Sequence, residues 1–236
     1  MSSQGAVNLI KEFGLKSAAK PSLEAYRATY STYSHWREIR AFDPPGWSVL
    51  SEKAQSLLLS KSFPGVDAWN YALDSCEVAK KYYFRKQEYL GQRKRRALKK
   101  KYGLSPLGFY LKSIVVDQCI WHREQNWHDF FNGLIWLSFP LSKKLLHQRA
   151  WESYLGRSGV GNRSAGEDEL TRFDEGGIVE YVDAVGHTQQ LIFGHGLLES
   201  MFYKQHYDTR PFRLQLNSPV LDVSDLDAAI RTVLPS

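Results

Sequence analysis

Two histidines, several carboxylates and two amides of this sequence lie in three short segments that suit metal binding or acid–base chemistry. In the first segment, His128, Asp129 and Asn132 fall within about 100° of one another around a helix, opposite a large apolar face. Trp136 falls in the same sector, which indicates that this polar side is covered and that its groups need partners. The alternative is an amphipathic helix whose polar side faces water, with Asn126 or Asp129 as its cap.

The second and third segments add carboxylates and a second histidine. Asp174 and Glu175 precede two glycines on a predicted connection from a helix to a strand. Such a pair can bind a hard cation or act in acid–base catalysis, although a polar turn uses the same residue types. His195 and Glu199 are four residues apart, so they share one face of a helix. They can bind one ion together or simply form a hydrogen bond on that face.

Helices must position most of these residues, because the hydrophobic pattern predicts a mainly α protein with a minor β element. This α+β fold is expected as a single globular domain over residues 21–236, after a leader of residues 1–20. The predicted helices are 22–39, 47–60, 67–81, 107–116, 126–139, 142–155, 196–205 and 222–233. Two strands, 177–183 and 189–193, are predicted on either side of a turn at Gly186.

The composition limits the class of protein. Of 236 residues, 43% are hydrophobic and 24% are charged, which is typical of a globular chain rather than a disordered one. Two cysteines exclude a disulfide framework and a four-cysteine zinc site. We find no signal peptide or membrane span, and we expect a cytoplasmic protein without a membrane partner. The glycine-rich loop 156–163 lacks the Lys-Ser/Thr pair of a phosphate-binding loop, so no nucleotide cofactor is expected. The oligomeric state stays open.

Positive charge is concentrated in residues 80–101, which contain eleven basic residues against Glu88 alone. Seven of the cations form a dense run: Arg93, Lys94, Arg95, Arg96, Lys99, Lys100 and Lys101. Nucleic acid or another polyanion suits this run, because each neutralised phosphate releases condensed counterions. Four aromatic residues in the same segment can stack on bases: Tyr82, Tyr83, Phe84 and Tyr89. The alternative is a solvated basic surface, or one neutralised by the acidic C-terminal third of the chain.

The three polar segments also resemble motifs of a bacterial family, the domain-of-unknown-function family numbered 3025. The family's patterns N-W-H-D-x-F-N, L-T-x-F-D-E-x-G and F-G-H-A-L-x-E correspond to residues 126–132, 170–177 and 193–199. The resemblance covers about residues 65–203, with Gly133 and Gly196 where the family favours alanine. It implies a bacterial, cytoplasmic protein in which the polar motif residues form one site. These residues are Asn126, His128, Asp129, Asn132, Asp174, Glu175, His195 and Glu199.

Two hypotheses of function follow from these features. The first is a metal-dependent hydrolase that acts on a phosphoester or nucleic-acid-like substrate. Its Zn²⁺, Mn²⁺ or Fe²⁺ ion is bound by four ligands: His128, Asp129, Asp174 and His195. Its catalytic residues are Glu199 or Glu175 as general base, with Asn132 and Asn126. The second is a non-catalytic nucleic-acid or polyanion-binding adaptor that uses the basic segment 80–101, with the polar motif residues as a buried structural network.

Overall fold

The structure, a computed structural model, describes residues 36–235 except for 37, 78, 80, 88–102, 157–163 and 205–209. The predicted leader, the helix 22–39, the basic run 93–101 and the loop 156–163 lie wholly or largely outside the described residues. The helices and strands in chain order are α1 (Glu52–Leu58), α2 (Val66–Asp74), β1 (Tyr83–Lys86), α3 (Pro106–Val115), β2 (Cys119–His122), α4 (Trp127–Ser138), α5 (Pro140–Leu155), α6 (Ala165–Gly176), β3 (Gly177–Asp183), β4 (Thr188–Ile192), α7 (His195–Phe202), β5 (Phe212–Val220) and α8 (Val223–Val233).

Polar side chains define where the site helices begin. The Oδ1 atom of Asn126 accepts a hydrogen bond from the backbone N–H of Asp129 at 3.0 Å and caps α4. Ser164 and Glu167 form a reciprocal capping box at the start of α6. Helix α5 starts at Pro140, because proline suits the first turn of a helix. Ser142, two residues on, is buried and bonds to Asp227 of α8.

Two small sheets complete the fold, and mixed helices and sheets confirm the α+β prediction. Strands β3 and β4 form the predicted antiparallel hairpin, and β5 pairs with β3 in parallel. Strands β1 and β2 form a separate parallel pair that the sequence pattern did not predict. Phe84 of β1 and the preceding Tyr82 are buried in the core, so the prediction that they stack on bases is wrong for these two. Tyr83 is exposed, and Tyr89 lies outside the described residues.

Helix α4 lies at the centre of the core. Every residue from Asp129 to Ser138 is buried, and Trp127, Phe130 and Phe131 pack edge to face with neighbouring aromatic rings. The polar sector of this helix is therefore covered, as the position of Trp136 predicted. Among the described residues, no helix is both long enough and apolar enough to cross a membrane.

Candidate metal centre

The ends of three helices bring the polar motif residues together. His128 lies in the first turn of α4, His195 and Glu199 lie on α7, and Asp174 and Glu175 lie in the last turn of α6. The prediction that the three motifs converge is confirmed, because His128 contacts both His195 and Glu199 across helices.

Glycine at position 194 allows this convergence. The backbone N–H of Gly194 donates to the carbonyl of Gly177 at 2.9 Å, where α6 passes into β3. A Cβ atom at Gly194 would lie 2.5 Å from the Cα atom of Gly176, which is closer than real Cβ contacts come. Because two backbone segments touch here, the carboxylate of Glu175 is brought beside the ring of His195.

Three side-chain atoms form a compact triangle at the centre of the cluster. The Nε2 atoms of His128 and His195 are 3.1 Å apart, and Oε1 of Glu175 lies 3.9 Å and 3.5 Å from them. Three atoms at these separations lie on a circle of about 2.05 Å radius, and zinc bonds to imidazole nitrogen and carboxylate oxygen are about 2.0–2.2 Å long. The triangle thus has the dimensions of three ligands around one ion.

Glu199 fixes the ring of His128. Its Oε2 atom accepts a hydrogen bond from Nδ1 of His128 at 3.0 Å, so the Nε2 atom is the one that faces the triangle. Burial favours the neutral ring, but this hydrogen bond and the charges of Glu175 and Glu199 outweigh it and raise the pKa of His128. Oε1 of Glu199 is buried and has no hydrogen-bond partner among the described residues.

His195 is held in a different environment. It is only 3% exposed, and its Nδ1 atom lies 3.8 Å from Oδ1 of Asp174. Burial, followed by the charge of His128, lowers the pKa of His195 well below its ordinary value, so the ring is neutral and able to donate a lone pair.

A buried lysine supports Asp174. Lys143 of α5 is fully buried and its ammonium group pairs with Asp174, while its Nζ atom lies 5.8 Å from the ring centroid of Trp136. Burial alone would raise the pKa of Asp174, but the charge of Lys143 outweighs it and lowers that pKa far below the usual range. Asp174 therefore stays ionised behind His195. Its carboxylate lies 3.8 Å from Nδ1 of His195, on the side of the ring away from the triangle, where a carboxylate can orient a ligand histidine.

A cavity of about 250 Å³ opens beside the triangle. His128, Glu175 and His195 line one end of it, and Asn132 lines its wall. Oδ1 of Asn132 is buried and has no hydrogen-bond partner in the described part of the chain, so it is an acceptor available to a bound molecule. Tyr110 also lines the wall; burial, and then the charge of Asp174, raise the pKa of its hydroxyl well above 10, which keeps it a donor.

Two residues that the sequence assigned to the site have other contacts. Asn126 caps α4, as the alternative interpretation allowed. Asp129 accepts three hydrogen bonds from the backbone and side chain of Arg123, and its carboxylate is not among the atoms of the triangle. Sequence analysis did not find Lys143 or Tyr110; an inward stripe of Lys143, Leu146 and His147 on α5 is the signal that identifies the lysine in retrospect.

Fold and site together define an α+β protein with two histidines and a carboxylate clustered at the ends of three helices. Residues 100–186 match the model of a family described as "Protein of unknown function (DUF3025)". The match confirms the family resemblance inferred from the motifs, over a range that contains the first two motifs and ends before the third. Comparison with curated proteins and comparison with solved structures each found no match.

Proposed function

We propose that this protein is a metal-dependent hydrolase whose divalent ion is bound by His128, His195 and Glu175. The triangle of their ligand atoms carries the proposal, because its circle of about 2.05 Å radius matches zinc–ligand bond lengths. Neutral imidazole and carboxylate also suit Mn²⁺ and Fe²⁺, so the donor set alone favours no single metal. Three protein ligands leave positions open for water and substrate, as in catalytic rather than structural sites.

In this proposal the protein positions the ligands and the substrate. An ion here would lower the pKa of a bound water to about 7 and so supply a nucleophile. Glu199 holds His128 by its Nδ1 atom, and Asp174 lies behind His195, so both rings present Nε2. Asn132 offers a free acceptor to the substrate from the cavity wall. Glu175, which the sequence suggested as general base, becomes a ligand instead.

A phosphoester or nucleic-acid-like substrate remains part of the proposal on the strength of the basic segment 80–101. Gln87 and Leu107, described residues on either side of the gap at 88–102, both line the cavity. The same segment supports the alternative, a polyanion-binding adaptor without catalysis. Replacing Arg93, Lys94, Arg95 and Arg96 by Gln distinguishes a role in binding from a solvated surface, because a role in binding predicts a smaller salt slope for the variant.

Metal binding is the direct test of the proposed function. Protein purified without chelator is analysed for Zn, Mn and Fe, and chelator-treated protein is titrated with each ion by calorimetry. We expect one ion per chain, and at least about 100-fold weaker binding for His195→Ala and Glu175→Gln. His187→Ala is the matched control, since its ring is 75% exposed on the β3–β4 turn. A phosphodiester and a carboxylic ester then serve as substrates for the loaded protein.

The metal-site hypothesis and the structural-network hypothesis also predict different melting temperatures for the variants. A site variant should melt near the temperature of the metal-free parent, because a ligand binds only the folded state and stabilises it. If the residues are a structural network, His195→Ala should melt several degrees lower than the metal-free parent, because a buried partner is left unpaired. A parent that binds none of the ions tighter than about 10 μM would refute the proposed hydrolase.

A further inference from the structure

The cavity beside the metal centre is elongated. Helices α5 and α6 run antiparallel along it: Lys143 pairs with Asp174 at the metal end, and the hydroxyls of Ser153 and Ser164 are 3.1 Å apart at the other. The cavity-lining residues of α6 extend from Glu175 back to Glu167, which is about 12 Å at 1.5 Å per residue. The cavity therefore forms a chamber that leads away from the ligand triangle along α6.

Aliphatic residues form part of the wall of this chamber beyond the metal end, alongside polar residues that include His147, Glu167 and Thr171. Five aliphatic residues from three helices line it: Leu107 and Leu111 of α3, Leu146 and Ala150 of α5, and Leu170 of α6. Leu111, Leu146 and Leu170 are each at most 3% exposed, and each also lines the cavity. Protein cores are normally close-packed, and unfilled volume lowers stability, so packing alone does not account for the chamber.

We infer that this chamber binds an apolar chain or ring of the substrate, next to the bond that is hydrolysed at the ion. The substrate class is a small amphiphile: a polar, hydrolysable head at the triangle and an apolar group of about six carbons along α5 and α6. This inference rests on the proposed function for the head group. The chamber is large enough, because a dry cavity of about 150 Å³ accommodates benzene and this one measures about 250 Å³.

A series of straight-chain hydroxamates, from acetohydroxamate to octanohydroxamate, tests the inference on metal-loaded protein. Hydroxamates bind such ions through the head, so only the length of the chain varies. Each methylene that enters the chamber should tighten binding by about fourfold. The dissociation constant should thus fall by about 100- to 300-fold from the two-carbon to the six-carbon compound. It should then level off towards the eight-carbon compound, because about 250 Å³ contains roughly eight groups of the size of a water molecule and the head group occupies part of that volume.

Ala150→Phe is designed to fill the chamber without touching the ion ligands. It should remove the gain with chain length while leaving the affinity for acetohydroxamate unchanged. Ala165→Phe is the matched control, because this alanine is exposed at the start of α6 and does not line the cavity. If Ala150→Phe does not fold, the chain-length series on the parent protein still tests whether the chamber binds an apolar chain.

The outcomes separate the two proposals. Tight acetohydroxamate binding with no gain from longer chains would keep the metal centre and overturn the chamber's role. If the protein binds no metal, hexanamide and acetamide are compared on the metal-free chain, where stronger thermal stabilisation by hexanamide supports the chamber alone. Equal stabilisation by the two amides, or an unchanged chain-length gain in Ala150→Phe, would overturn the inference.

Discussion

Removing the buried ammonium of Lys143 should be one of the most damaging single changes in the described core. Lys143→Met keeps an unbranched apolar stem but removes the Nζ atom, which leaves the carboxylate of Asp174 without its ammonium partner. Loss of one member of a buried ion pair costs about 3–5 kcal/mol of unfolding free energy. In a domain of this size each kcal/mol lowers the melting temperature by about 2–4 °C, so we expect a drop of roughly 6–20 °C.

The assay is urea denaturation in the presence of chelator, so that metal binding does not contribute to the free energy of unfolding. Lys112→Met is the matched control, because Lys112 pairs with Asp117 at 2.7 Å on the surface, where such pairs contribute less than about 1 kcal/mol. The double variant Lys143→Met/Asp174→Asn removes both charges and should recover most of the loss.

The pH dependence of the unfolding free energy provides an independent check that the unpaired Asp174 carboxylate causes the loss of stability in Lys143→Met. In the parent protein the pKa of Asp174 is depressed, so its contribution to stability is present above its ordinary value of 3.8 and is lost only in strong acid. Without Lys143, burial is left to raise that pKa, and protonation of Asp174 should relieve the damage as the pH falls from 7 to 5. Equal losses in Lys143→Met and Lys112→Met, or a double variant no more stable than Lys143→Met, would refute this account of the pair.

Three further predictions concern individual residues. Burial lowers the pKa of His122 in the folded state to about 4, so the unfolded chain takes up the proton first as the pH falls. Lowering the pH from 6.5 to 4 should therefore reduce the unfolding free energy of the parent by about 3 kcal/mol through His122 alone, and His122→Phe should remove this contribution. Gly194→Ala should lower the unfolding free energy by at least about 2 kcal/mol because of its backbone clash, whereas Gly65→Ala, with open space around it, should change it by less than about 0.5 kcal/mol. Asn126→Ala should cost about 1 kcal/mol through the lost cap of α4 and leave metal content unchanged; a loss of metal would show that Asn126 belongs to the site.

The sequence predicted the convergence of the site better than the identity of its ligands. His128, His195 and the Asp174-Glu175 pair were recognised from residue type and helical spacing, and these residues do meet. Which of two adjacent carboxylates faces the histidines depends on the last turn of α6 and its exit into β3, and this is a matter of tertiary packing. Asp129 illustrates the same limit, because Arg123 lies outside the motif.

The strands that sequence analysis missed are β1 and β2, which are short, and the nine-residue β5. Strands β1 and β2 have four residues each, so period-two alternation has too little length to stand out, and only Phe84 of β1 is buried. Helices α4 and α5 and the β3–β4 hairpin were predicted well because their apolar pattern or turn signals persist over more residues. Lys143 was missed for another reason: the stripe that it shares with Leu146 and His147 indicates an inward position, but no local feature identifies the carboxylate of Asp174 as its partner.

Burying polar groups costs free energy, and the burial of several such groups around the triangle is itself an argument for a binding site. A buried ion pair is often no more stabilising than apolar residues of the same volume, so stability alone does not favour Lys143 and Asp174 in the core. The same holds for the buried acceptors of Asn132 and Glu199, which have no hydrogen-bond partner in the described part of the chain, since each desolvated group costs free energy. These costs fall beside an open cavity and around a triangle of ligand-sized dimensions. A binding role explains why these groups surround the triangle, whereas a purely structural network would explain the hydrogen bonds but not the acceptor of Asn132 on the cavity wall.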